Sequence, residues 1–278
     1  NPAYRTGMNL PVWLGETLEF PDPTLSHWQG LVALGGDLSA ERLILAYRQG
    51  IFPWYSTGDP IMWWCPDPRA VFFPALFHLS ASLRRVLHKH EFEIRIDTAF
   101  SDVVRCCGSV PRAGQDGTWI LPEMHEAYCR LHELGHAHSV EVWQQLPASP
   151  GGTVSTPPLC DRSGMYLAGG VYGVLTESVF CGESMFSLAP NASKIALAAL
   201  MHLSLACEIL AVDCQFMTPH LASLGAVEIR RSDYLALLES GHTPQRDPDR
   251  VPLRGATLFA THTWPQTLQA ALETRQGR

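Results

Sequence analysis

From residue 76 onward, strand-length apolar runs alternate with helical repeats, and this alternation constrains the fold more than any other feature of the chain. Period-two patterning predicts strands at 92–96, 138–144, 166–174, 179–186, 209–215 and 225–229. Capping residues and 3.6-residue spacing predict helices at 80–90, 98–107, 122–134, 191–208 and 232–240, with Pro122 in a first turn and Gly135 at a helix end. Some successive strands lack an intervening helix, which adds antiparallel hairpins to the helix–strand alternation. The result is an α+β expectation for 76–244, a mixed sheet with flanking helices. Residues 8–75 are rich in Pro, Gly and Trp and contain one clear helix, with Ser39 as N-cap, Leu43, Ala46 and Tyr47 on its apolar face and Gly50 as terminator. They predict a small, irregular N-terminal domain. Asn1–Gly7 reads as a vector remnant, 245–278 as a polar tail with a helix after Thr263, and Gln145–Gly164 as a flexible hairpin-tip insertion too polar to build a core.

Composition removes several classes of function. A net charge of −7 argues against a protein that grips a long nucleic-acid backbone, so any such partner is held locally, through a terminus, a few bases or a small basic patch. No apolar run of 18 residues predicts a membrane span. The 8 cysteines contain no C-x-x-C spacing and read as buried, reduced thiols, which places the chain in the cytoplasm.

Several constellations are candidates for chemistry. His132-Glu133-Leu134-Gly135-His136 matches the zinc motif H-E-x-x-H, which needs both imidazoles on one continuing helix face. Gly135 predicts that the helix stops between them, so the motif is not read as a zinc site. Glu183 lies in an apolar strand, where a carboxylate costs several kcal/mol unless it is satisfied. It is either internally paired or at a sheet edge, or it awaits a cationic ligand. Asp213 and Gln215, two apart on the next strand, are expected on one face at a pocket floor. If the two strands are neighbours, this acidic group suits an Arg or Lys side chain beside a free α-amino group. The clusters around Trp54, Trp63–Trp64 and Trp119 serve either as core or as stacking surfaces for nucleobases. Asn191 is read as an N-cap, and Lys194 in the same first turn faces solvent or a phosphate.

The segments Leu31–Leu38, Tyr47–Trp54, Trp63–Arg69, Gly117–Ile120, Tyr128–Ser139, Gly182–Ser187, Asn191–Lys194 and Asp213–Gln215, in this order, resemble the bacterial leucyl/phenylalanyl-tRNA–protein transferases. The resemblance covers about residues 20–240. It implies a C-terminal domain like the Gcn5-related acetyltransferases behind a small N-terminal domain. It also implies transfer of Leu or Phe, and less well Met, from aminoacyl-tRNA to proteins beginning with Arg or Lys, with neither cofactor nor metal. By the same resemblance, Trp54 and Trp119 lie near the terminal adenosine and aminoacyl group. Tyr128 and Asn191 belong to the substrate site, and Phe180, Gly182, Glu183, Met185 and Ser187 to the side-chain pocket. Glu183, Asp213 and Gln215 engage the acceptor N-terminus or assist proton transfer. Val171 stands where the family pattern has a pocket-lining methionine. An acetyl-coenzyme A-dependent acetyltransferase is the alternative on the same fold, but no R/Q-x-x-G-x-G/A turn follows a strand.

Overall fold

The computed structural model describes residues 11–26, 29–89, 91–109, 120–145 and 159–240. The expectations for Trp119, the tip of the 145–164 insertion, the first ten residues and the tail beyond 240 lie outside the described residues.

The N-terminal region is more regular than expected. Strands β1 (Val12–Leu14), β2 (Leu31–Gly35), β3 (Phe52–Pro53) and β4 (Met62–Trp64) form a four-stranded sheet in the order β1-β2-β4-β3. Strands this short carry no usable period, which is why only helix α1 (Ala40–Arg48) was legible there. Ser39 caps α1 by accepting from the Arg42 amide at 3.4 Å. At its other end Gly50 adopts φ +74°, with Gly50 N–H bonded to Tyr47 O and Ile51 N–H to Ala46 O, the Schellman arrangement. A Cβ on Gly50 would lie 2.9 Å from Leu235 Cδ2, so the same glycine also allows the helix end to approach the C-terminal domain.

The larger sheet has seven strands. Its first, β5 (Arg69–Phe72), precedes the boundary expected at residue 76. With β6 (Phe92–Ile96), β7 (Ala137–Gln145), β8 (Met165–Leu175), β9 (Val179–Ser187), β10 (Ala211–Gln215) and β11 (Val227–Ile229), the order is β11-β5-β10-β9-β8-β7-β6. Every pair is antiparallel except β9–β10, which are joined by α5 (Ala192–Ala206) in a crossover. The chain is therefore a mixed α+β protein. Helix α2 (Ala81–Leu87) and α5 cover one face through Leu83, Leu87, Ile195, Ala199 and Leu203 against Val140, Val171, Phe180 and Val212. The opposite face packs against α1, α3 (Phe100–Ser109), α4 (Pro122–Glu133) and α7 (Arg231–Ser240) through residues including Tyr47, Val103, Tyr128 and Tyr234. A short helix, α6 (Pro219–Ser223), follows β10 and was not expected.

Arg231 ties the two regions together. Its guanidinium donates to Cys65 O at 3.0 Å and Thr24 O at 3.1 Å, and its backbone amide donates to Asp67. The β5 strand and this brace fix the N-terminal sheet and α1 over one end of the larger sheet, beside the β9–β10 pair. Among the described residues no helix is long and apolar enough to cross a membrane.

Candidate active site

Strands β9 and β10 pair in parallel only as far as Cys181 and Asp213. Beyond that point each departs from regularity. Opposite β8, Tyr172 faces Ser184 and Gly173 faces Gly182, so Glu183 is the extra residue of a β-bulge. Opposite β5, Asp213 faces Val71 and Gln215 faces Ala70, so Cys214 is extra, and Gln215 turns to φ +59°. A positive φ on a non-glycine residue is uncommon and needs support. Here the Asp213 carboxylate supplies it, accepting from Gln215 N–H at 2.9 Å. Two bulges side by side open a fork between the strands. Gly182 lies at this fork, where an added Cβ would sit 3.3 Å from Asp213 O and 3.9 Å from Val212 Cγ1.

The three polar residues singled out in the sequence converge here, but in different states. Asp213 is fully buried and saturated: Arg69 donates to it twice, at 2.8 and 2.7 Å, and Tyr234 once, at 3.0 Å, besides the Gln215 amide. It is paired with a protein cation and so is not open to an incoming one. The bulge also removes the simple two-residue alternation expected for Asp213 and Gln215. Gln215 is 8% exposed, and its Nε2 has no hydrogen-bond partner among the described residues. A buried, unpaired donor costs about 1–3 kcal/mol, the mark of a group reserved for a ligand.

Glu183 differs from both. It is half-buried on the face shared with α1 and α4, where Tyr47 Oη lies 2.7 Å from Oε1 and Tyr128 Oη 2.7 Å from Oε2. It makes no ion pair among the described residues. Burial pushes its carboxyl up to about 7; the phenol hydrogen bonds of Tyr128 and Tyr47 pull the other way, the Asp213 charge adds to the rise, and Arg69 opposes it. Glu141 shows what a purely structural carboxylate looks like in this protein: it is fully buried, with donors from Thr98, Ala99, Ser139 and Trp143.

Aromatic residues border the fork. Trp54 is 41% exposed, 5.3 Å between centroids from Phe216, the residue after Gln215, and 6.0 Å from Trp64. Trp63 is fully buried, with its indole N–H on Gly35 O at 2.8 Å, and is core.

The apolar candidates gather on the other side of the sheet. Val171 and Met185 are directly paired, and Phe180 and Val212 join them on the α5 face, opposite Glu183. Ser187 is committed to structure: its hydroxyl donates to Ala189 O at 2.8 Å and accepts from Ser193 N–H at 3.2 Å, capping α5. Asn191 occupies the N-cap position of α5 as expected, but at φ +67° and without a side-chain capping bond, and it lines a separate cavity with Lys89, Gln144 and Ile195. Arg69, Tyr47, Tyr234, Phe216 and Val212 were not singled out in the sequence as site residues. The readable signal for Arg69 was a lone arginine opening the apolar run Arg69–Phe73, matching the lone Asp213 in another.

The H-E-x-x-H match is not a zinc site. Gly135 at φ +80° ends α4 with a second Schellman pair, Gly135 N–H to His132 O and His136 N–H to Leu131 O. His132, His138 and Asp97 do approach one another. However, His132 Nδ1–H is committed to Ala137 O and His138 Nδ1–H to Asp97, both within 2.8 Å, so the trio braces the end of α4 against β7.

Comparison with known proteins places this geometry in a family. The sequence profile of the leucyl/phenylalanyl-tRNA protein transferases matches residues 71–153 and 162–239, and the profile of their N-terminal domain matches 36–67. The unmatched residues 154–161 lie within the polar stretch read as an insertion. A leucyl/phenylalanyl-tRNA–protein transferase of Syntrophobacter fumaroxidans is 50% identical over 230 residues, covering 82% of this chain and 90% of that protein. One from Syntrophus aciditrophicus is 48% identical over 254 residues, covering 91% and 94%. Identity at this level across more than four-fifths of both chains shows that this protein belongs to the leucyl/phenylalanyl-tRNA–protein transferase family.

Proposed function

We propose that this chain transfers Leu or Phe, and less well Met, from aminoacyl-tRNA to the α-amino group of proteins beginning with Arg or Lys, a peptide-bond-forming step that marks them for N-end rule degradation in the cytoplasm. The observation that carries the reading is Glu183, a half-buried carboxylate held by two phenols, without a protein cation, at the β9–β10 fork. The single parallel pair at which the strands part supports the likeness to Gcn5-related acetyltransferases. The missing pyrophosphate-binding turn favours an aminoacyl ester over acetyl-coenzyme A as the donor.

The ester is already activated. The acceptor amine, once neutral, attacks its carbonyl: a C–N bond forms, the ester C–O bond breaks, and the ribose oxygen leaves with a proton. Trp54 and Phe216 stack the terminal adenosine, and Trp119 assists them. The acyl side chain passes the glycine at the fork toward Val171, Met185, Phe180 and Val212, while the acceptor's cationic side chain meets Glu183. The unpaired Gln215 Nε2–H is aimed at the ester carbonyl, whose charge grows during attack. Asp213, neutralised by Arg69, acts by holding Gln215 in its positive-φ turn. Holding both substrates at one point supplies about 7–11 kcal/mol when the geometry is good, and this is the main source of acceleration.

The test is transfer of radiolabelled leucine from charged tRNA to a peptide beginning with Arg. Product forms with the purified chain alone; a folded protein that yields none contradicts the reading. In the same assay Trp54→Ala raises the KM for charged tRNA about 5- to 150-fold, the loss of one stacked base at about 1–3 kcal/mol, and leaves the peptide KM within about twofold.

The pH profile follows from Glu183. Its folded pKa of about 7 exceeds the ordinary carboxyl value, so protonation removes the anion as pH falls through that range. The acceptor amine, with a pKa of about 7.7–8.0, must also lose a proton. Below pH 7, log kcat/KM for an Arg peptide therefore rises with a slope approaching two per pH unit in the wild type. In Glu183→Gln the slope is one.

A further inference from the structure

Three oxygen–oxygen contacts close a ring through the Glu183 carboxyl and two phenols. Tyr47 Oη is 2.7 Å from Oε1, Tyr128 Oη is 2.7 Å from Oε2, and the two phenol oxygens are 2.8 Å from each other. Each phenol carries one hydrogen. Two protons cannot fill three oxygen–oxygen contacts: if both phenols donate to an ionised carboxylate, their own oxygens meet lone pair to lone pair at hydrogen-bond distance. A third proton, on the carboxyl, completes the circuit, with the acid donating to one tyrosine, that tyrosine to the other, and the second back to the carboxyl. Both phenols are buried, so water does not relieve the count.

We infer that Glu183 rests as a neutral carboxylic acid closing a three-proton ring with Tyr47 and Tyr128, and that binding of the acceptor's cationic side chain expels this proton to solvent. This rests on the proposed reading of Glu183 as the acceptor-binding group. The surroundings agree. The charged groups nearest the ring are Asp213 on β10 and Arg69 on β5, which are bonded to each other and largely cancel, and Cys181 on β9 is a buried thiol. Tyr172 on β8 packs edge-on to Tyr128. Among the described residues no group facing the ring supplies an unopposed positive charge, so burial favours the neutral acid, in line with the upward shift of the carboxyl. An arriving guanidinium or ammonium reverses that balance. The proton leaves, the phenols each donate to one carboxylate oxygen, and their mutual contact lengthens. Tyr47 and Tyr128 are thus positioning residues: burial disfavours the free anion, and the two phenols fix the carboxyl in either protonation state and receive it as an anion once the cation arrives.

The test uses the full chain labelled with ¹³C at glutamate carboxyl carbons, with the Glu183 signal identified by its loss in Glu183→Gln. In the resting protein this signal titrates with a midpoint near 7. A peptide beginning with Arg lowers the midpoint by roughly 1–3 pH units, the usual effect of an adjacent opposite charge. A peptide beginning with citrulline, equal in shape but neutral, leaves it in place. A resting midpoint in the ordinary carboxyl range, or one that the Arg peptide does not move, overturns the inference. Glu183→Gln mimics the neutral acid and keeps the ring, so its melting temperature at pH 8 equals or exceeds that of the wild type. A markedly lower value also counts against the inference. Leucine transfer measured on the same preparation separates this failure from failure of the functional reading, because the resting titration needs no substrate.

Discussion

Arg69→Met is expected to lower stability by about 3–5 kcal/mol, the cost of leaving one member of a buried ion pair without its partner. Arg69 and Asp213 are 1% and 0% exposed and joined by two hydrogen bonds, and Arg69 also donates to Gly50 O at 2.9 Å. Removing the guanidinium orphans the Asp213 carboxylate and the carbonyl of the Schellman glycine together. The loss is expected in urea denaturation as a lower midpoint with an unchanged slope. The double variant Arg69→Met/Asp213→Leu recovers much of the stability, because replacing both members by apolar groups removes the orphaned charge. Activity does not return with it: Asp213 also accepts from the Gln215 amide, and without that bond the positive-φ turn loses its support. Stability and activity thus separate in the double variant.

Long elements were legible in the sequence because their patterns repeat. The α5 helix and strands β7 to β9 span 9 to 15 residues and lie within two residues of their expected bounds. The N-terminal strands, of two to five residues, give no such repetition, and their pairing partners set their form. The end of α4 was readable from Gly135 because a left-handed residue is a local requirement, and this alone removes the zinc motif.

The site was legible in its members more than in its arrangement. Glu183, Asp213 and Gln215 stood out as polar groups in apolar strands. That Asp213 is matched by Arg69 while Glu183 is not depends on strand order across 144 residues of separation, which no local pattern encodes. The two bulges are likewise products of register. Tyr47 looked like part of an apolar helix face, and its hydroxyl, which needs a partner once buried, was the overlooked signal.

Discrimination between acceptors that differ only in charge tests the central claim most directly. Glu183 faces two phenols and makes no ion pair among the described residues, and the proposed function assigns the acceptor's side chain as its counterion. A desolvated charge pair of this kind contributes about 2–5 kcal/mol, which corresponds to roughly 30- to 4,000-fold in kcat/KM. Peptides beginning with Arg and with citrulline match in shape and differ in that charge. Measured above pH 8, where the carboxyl is ionised, the wild type is expected to prefer the Arg peptide by a ratio within that range. In Glu183→Gln the ratio collapses toward one, chiefly through loss of the Arg reaction. If Glu183→Gln keeps the wild-type preference for Arg, the carboxylate at the β9–β10 fork does not read the acceptor.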